Sequence, residues 1–175
     1  GLVFSPLVAS RASLSRAQKE LGTVLVDIGA GTTGMSVYEE NKLIGTAKFP
    51  VGAMSVSNDL AVGLKIPADA AEKVKLHYGY ALSKDVPAKD QVELKKFFPE
   101  AKATVSRRFI SEIIEVRLAE ILDFVNNELK LLGKYGELPG GAVFVGGGAK
   151  MPGLMDLARQ ELKIPSQIGL PIEDE

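Results

Sequence analysis

The stretch Val24-Leu25-Val26-Asp27-Ile28-Gly29-Ala30-Gly31-Thr32-Thr33 constrains this fold more than any other. It reads as a buried strand, an acid at the strand's end, a glycine-rich turn and two hydroxyls. A short apolar run bounded by turn residues is the pattern of a central strand. Gly29 and Gly31 let the backbone turn tightly and approach a ligand without a Cβ in the way. Successive backbone N–H groups in such a turn form a concavity for anionic oxygens. Thr32 and Thr33 add hydroxyl donors, and Asp27 is placed to hold a hydrated Mg²⁺. The same spelling suits an ordinary hairpin turn after a core strand, so the motif alone leaves both readings open.

Composition narrows the class of protein. The chain has 175 residues and a net charge of −1, with 46% hydrophobic and 25% charged residues, which is ordinary for a folded domain with one sizeable core. The balanced charge gives no electrostatic reason to expect nucleic acid as a partner. With no cysteine and one histidine, His77, neither a thiolate nor a His-based metal site is available. His77 is expected to be a partly buried structural residue. No apolar run approaches the ~20 residues that span a bilayer. Gly1-Leu2-Val3-Phe4 reads as an entry in mid-domain, so a fragment of a longer protein is expected.

Pro6 to Lys19 reads as a short helix ended by Gly22, and 23–28 as the first strand. Gly34 to Tyr38 and Leu43 to Phe49 alternate as two more strands around a Glu40-Asn41 turn, giving an antiparallel meander. Ser55 is expected to cap a helix carrying Val56, Leu60 and Leu64, and Pro67 to open another that runs to about Leu82. Residues 84–105 are polar and proline-punctuated and predict short strands or a loop. From Phe109 to Leu132 apolar residues recur at three- and four-residue spacing, which predicts a long amphipathic helix capped by Ser106.

Ala142-Val143-Phe144-Val145 is a second buried strand that runs straight into Gly146-Gly147-Gly148-Ala149. A helix from Leu154 to Leu162 and a short strand near Ile164–Gly169 complete the pattern. In a parallel or mixed sheet with helices on its faces, two such turns at strand carboxyl ends line one crevice. One can take phosphates while the other lets a base or ribose approach bare backbone.

At this point the sequence resembles a known superfamily. Asp27-Ile28-Gly29-Ala30-Gly31-Thr32-Thr33 is similar to the second phosphate motif of the actin/Hsp70/sugar-kinase superfamily, and Val145-Gly146-Gly147-Gly148-Ala149 to its adenosine motif. Within it, the chain from Glu20 to Gly169 resembles the bacterial cell-division FtsA family. Lys19-Glu20-Leu21-Gly22, Phe49-Pro50-Val51-Gly52, Ser57-Asn58-Asp59-Leu60, the run Ala71 to Leu82 and Ile113 to Ile121 carry the likeness.

The resemblance implies an α/β, actin-like (RNase H-like) fold with a mixed sheet, flanking helices and a smaller inserted α+β subdomain. This chain would form one lobe of two, with residues 1–54 and 106–175 as the large subdomain and 55–105 as the insertion. It implies ATP and Mg²⁺ as cofactors. Asp27 would hold Mg²⁺ through water. Gly29, Ala30, Gly31, Thr32 and Thr33 would meet the β- and γ-phosphates. Glu72 and Lys75 would reach ribose and adenine from one helix face. Gly146, Gly147, Gly148 and Ala149 would pass beneath the adenosine, with Lys150 and Met151 flanking the base. No catalytic residue is expected, and at most a slow ATPase. Gly34 stands where many relatives carry a second acid, which is expected to weaken metal positioning.

The family's partners are FtsZ, further copies of itself in actin-like filaments, and the cytoplasmic face of the inner membrane at the division site, reached through a C-terminal amphipathic helix. The first phosphate loop and that helix are expected to lie outside this stretch, which alone would bind nucleotide weakly. A pilus-assembly adaptor of the PilM type and a lobe of a sugar or acid kinase remain the alternatives.

Overall fold

The structure, a computed structural model, describes residues 14–169. Of the helix expected from Pro6, the part before Leu14 lies outside the described residues. The remainder is α1, Arg16–Leu21, opened by a capping box in which Ser15 Oγ accepts from the Gln18 amide and Gln18 Oε1 accepts from the Ser15 amide.

The meander forms as expected. β1 is Thr23–Ile28, β2 Thr33–Glu39 and β3 Lys42–Phe49, each antiparallel to the one before it. Glu40 and Asn41 both take positive φ, the geometry of a two-residue turn that matches the strands' twist. α2, Ala53–Leu64, begins three residues earlier than a cap at Ser55 predicts. Its cap is Gly52, and its first amides bond to a loop instead of to a side chain: Ala53 N donates to the Gly29 carbonyl at 2.9 Å and Met54 N to that of Ala30 at 2.8 Å. α3, Ala68–Tyr78, stops four residues short of Leu82, and its cap residue is Gly79.

Residues 84–105 hold two short strands, β4 (Gln91–Glu93) and β5 (Thr104–Ser106), which pair with each other outside the main sheet. The long helix is α4, Arg107–Leu131, and Ser106 caps it by accepting from the Arg108 amide at 3.1 Å. β6 (Ala142–Val145), α5 (Leu154–Leu162) and β7 (Ser166–Ile168) follow. His77 is a correction: it is exposed, with Nδ1 2.8 Å from the Lys73 carbonyl and its ring against Phe97.

The five-stranded sheet has the order β3-β2-β1-β6-β7, with β6 parallel to β1 and β7 parallel to β6. β1 is therefore central and buried on both faces. Val24, Val26 and Ile28 point into the main core with α2, α4 and α5, while Leu25 packs with Leu14, Tyr38 and Val143 on the other side. This explains why β1 reads as a continuous apolar run and not as an alternating one. The parallel register sets Asp27 beside Val145, so the chain leaves both strands at the same edge, one into each glycine turn.

Candidate functional site

The two turns meet at the carboxyl ends of β1 and β6. Gly146 takes φ +88 and lies so close to β1 that a side chain there would overlap Asp27 Oδ1. Gly148 is packed against Ile28 in the same way. The second loop is thus seated on the first by bare backbone, and its continuation, Gly147–Lys150, winds as a single 3₁₀ turn.

The first loop is braced from behind. Gly29 N bonds to the Thr32 carbonyl at 2.9 Å, and the Gly29 and Ala30 carbonyls are taken by the start of α2. With its carbonyls turned toward the helix, the loop leaves the amides of Ala30, Gly31 and Thr32 without a partner among the described residues. Unpartnered amides on a fixed loop are what an anionic oxygen requires.

A crevice of about 360 Å³ opens beside these loops. Ala30, Glu72, Lys75, Gly147, Gly148, Lys150 and Met151, seven of the residues singled out from sequence, line it together. The sequence reading missed Ala53, Val56, Leu76, Leu118 and Pro152, which supply its apolar wall. Their signal was faint, because an apolar residue on a helix reads as core whether it faces core or cleft. Gly29, Gly31 and Thr32 form the neighbouring loop, and Asp27 and Gly146 its junction with the second turn, outside the crevice lining.

Two placements differ from expectation. Thr33 is fully buried, and its hydroxyl donates to the Val51 carbonyl at 2.8 Å, so it ties the loop to the core and offers no hydroxyl to a phosphate. The reason is strand alternation: Thr33 is the first residue of β2, opposite Ile28, and points inward with it. Ala149 is also buried and does not line the crevice.

Across the crevice, α3 presents Glu72 and Lys75. Lys75 Nζ is 2.9 Å from Glu72 Oε2, and the same oxygen accepts a hydrogen bond from Ser57 Oγ on α2. Partial burial works to raise the Glu72 pKa, but these two hydrogen bonds and the Lys75 charge outweigh it and hold the carboxyl below its usual range. Burial moves Asp27 the other way, upward. The wall is fixed to the second loop by the Ala81 amide, 2.8 Å from the Pro152 carbonyl, and by the packing of Gly79 against Met151.

Asp27 is half-buried, and among the described residues no group of three His, Asp or Glu is placed to hold a metal. A single carboxylate beside a loop of unpartnered amides would suit a Mg²⁺ that keeps most of its waters and takes further ligands from an anion on that loop.

Comparison with known proteins matches this architecture. The family model "Cell division protein FtsA" matches residues 24–175. The chain is 35% identical over 170 residues to the cell division protein FtsA of Bacillus subtilis (strain 168), covering 97% of this chain and 38% of that protein. It is 32% identical over 178 residues to that of Escherichia coli (strain K12), covering 98% and 42%. The chain thus spans about two fifths of the length of these relatives. Among solved structures it resembles MreB 5 of Spiroplasma citri bound to AMPPNP, with TM-score 0.75 and 19% identity over 94% of this chain and 53% of that one. It also resembles a chain of the PilM-PilN type IV pilus biogenesis complex, with TM-score 0.63 and 19% identity over 93% and 38%. At such identities the likeness is one of fold, which is actin-like.

Proposed function

The chain belongs to the FtsA family of cell division proteins, and from that premise we propose that it supplies one nucleotide-binding lobe of an actin-like protein that uses ATP and Mg²⁺ to link FtsZ filaments to the cytoplasmic membrane at the division site. The observation that carries this reading is the parallel pairing of β1 with β6, which seats both glycine turns side by side and opposite Glu72 and Lys75. The loop amides of residues 30–32 take phosphate oxygens, Asp27 holds the hydrated cation, and the apolar wall takes the base. The cation, when bound, neutralises phosphate charge. Residues 55–105 form the smaller subdomain and the rest the larger one. In this reading the intact protein self-associates, as the family resemblance implies, and hydrolysis is slow because one acid alone positions the metal.

A kinase lobe would need a second carboxylate facing the γ-phosphate. Asp59, in the segment that would supply it, is held by Arg117 at 2.7 and 2.8 Å, and Glu72 is the one carboxylate lining the crevice. Among the described residues no helix is long and apolar enough to cross a membrane.

The test is co-sedimentation of the intact protein with FtsZ polymers and anionic vesicles, with and without Mg-ATP. ATP-dependent recruitment of FtsZ, weakened by Asp27→Ala, is the expected result. Tight ATP binding with no recruitment in either condition would remove the adaptor role.

A further inference from the structure

The buried face of α2 carries Val56, Ser57, Leu60 and Leu64, three aliphatic side chains and one hydroxyl. A buried serine in a helix most often turns back to a carbonyl of its own preceding turn. Ser57, only 6% exposed, reaches across to α3 instead and donates to Glu72 Oε2. Lys75 Nζ donates to that same oxygen at 2.9 Å. The other carboxylate oxygen, Oε1, has no partner among the described residues, and Glu72 lines the crevice beside Lys75, Gly147 and Gly148. An ionised carboxylate only accepts hydrogen bonds. The family resemblance already turns Glu72 toward the ribose, and an acceptor beside the apolar stretch of Leu76, Met151 and Pro152 suits sugar hydroxyls better than phosphate.

We propose that Ser57 is the positioning residue of this site: its hydroxyl pins one oxygen of Glu72, so that the other is presented to the ribose of a bound nucleoside triphosphate and the site selects ribose over deoxyribose. The inference rests on the nucleotide reading above. Two donors on one oxygen fix the carboxylate's rotation. Lys75, largely buried beside a half-exposed Glu72, holds the charge but not the rotation, because its ammonium is a compact point charge with rotatable donors. The depressed Glu72 pKa agrees with a carboxylate kept ionised as an acceptor at neutral pH.

The experiment is titration calorimetry of the intact protein, in Mg²⁺, with ATP, 2′-deoxy-ATP and 3′-deoxy-ATP, for wild type, Ser57→Ala and Ser57→Thr. A lost hydrogen bond to a charged group corresponds to about a tenfold change in affinity. Ser57→Ala should weaken ATP by about that factor and leave the deoxy analogues within about twofold, which collapses the selectivity ratio. Ser57→Thr, which keeps the hydroxyl, should restore it. The ratio is taken within one variant, so a general loss of folded protein moves both affinities together and cannot imitate the effect. Equal weakening of all three ligands, or wild-type protein that binds ATP and its deoxy analogues alike, would overturn this inference while leaving the nucleotide reading intact. Wild-type protein that binds no nucleotide would overturn both.

Discussion

Gly146 lies against the carboxylate of Asp27 with no room for a side chain: a Cβ built there overlaps Asp27 Oδ1 and sits 2.5 Å from the Ile28 carbonyl oxygen. The acid of the first turn and the first glycine of the second are thus one structural unit, although 119 positions separate them. The backbone at Gly146 adds a second constraint, because its φ of +88 is a region that side chains enter at a cost.

Gly146→Ala is therefore expected to be among the most damaging single-methyl changes in the chain. The positive φ costs about 1–2 kcal/mol, and the overlap with backbone on β1 adds to it. At roughly 2–4 °C per kcal/mol for a chain of this size, the melting temperature should fall by more than about 4 °C. Gly147→Ala is the control, since no atom lies within 4 Å of a Cβ there. Thermal unfolding of both variants decides the matter, and equal melting temperatures would show that the two loops do not pack as described.

The two site carboxylates should give opposite pH signatures. Burial raises the Asp27 pKa above its ordinary 3.8, so the folded state binds that proton more tightly than the unfolded chain does. Its contribution to stability is present in full below 3.8 and is lost as pH rises through the raised value. Glu72 is the reverse: held below its ordinary 4.5, it stabilises above that pH and the contribution fades as pH falls through the lowered value. Asp27→Asn removes only the first effect. Without ligand it should melt higher than wild type at neutral pH, with the two curves converging in acid, while its response to Mg-ATP disappears. A lower neutral melting temperature for the variant would mean that burial is not what governs Asp27.

Much of this arrangement was legible in the sequence, for local reasons. The strands β1 and β6, the turns after them and the long helix α4 are set by periodicity and glycine placement, which need no knowledge of distant contacts. The departures all come from tertiary partners. Ser55 looked like a helix cap, yet α2 starts at Ala53 because the Gly29 and Ala30 carbonyls take its first amides. The pattern of α3 continues to Leu82 in the sequence, but beyond Tyr78 the chain is claimed by α4. Arg107 Nε bonds to the Tyr78 carbonyl at 3.1 Å, Ser111 Oγ to that of Tyr80 at 2.5 Å, and Glu115 accepts from the Ser83 amide at 2.8 Å. Thr33 carried the right chemistry for a phosphate loop and the wrong strand parity. Ser57 entered the sequence reading only within the stretch Ser57 to Leu60 that carries the family likeness, because its partner lies 15 residues on.

Those three tethers lead to a prediction about the crevice. Ser111 is fully buried, and Ser111→Ala leaves the Tyr80 carbonyl without its donor, at a cost of about 1–2 kcal/mol. Tyr80 packs on Gly153, and the next amide, that of Ala81, bonds to Pro152 in the crevice wall. The variant should lose affinity for ATP as well as stability, whereas Arg117→Ala, which breaks a pair with Asp59 away from this wall, should cost about 1 kcal/mol of stability and leave affinity unchanged. Denaturant unfolding and calorimetry on both separate the two effects. An affinity loss in Arg117→Ala equal to that in Ser111→Ala would contradict the assignment of the tether to the site.

The last prediction concerns what this site lacks. Gly34 pairs directly with Asp27 across β1 and β2, so a side chain at 34 would point to the same face as the carboxylate. A Cβ there meets nothing within 4 Å, and the backbone is not in the left-handed region. Gly34→Asp is therefore sterically permitted, and it sets two acids opposite one another. Without metal, like charges directly across a strand pair repel and raise each other's pKa, which should lower the melting temperature at neutral pH by an amount worth roughly 0.2–1 kcal/mol. With Mg²⁺ and ATP the second carboxylate gives the cation a further ligand, so the ligand-induced rise in melting temperature should exceed that of wild type. The measurement is a thermal shift of the intact protein with ATP at several Mg²⁺ concentrations. A variant that is destabilised without metal and gains nothing from it would place the cation away from Asp27. One that gains more than wild type would identify position 34 as a place where a second acid strengthens cation binding beside Asp27.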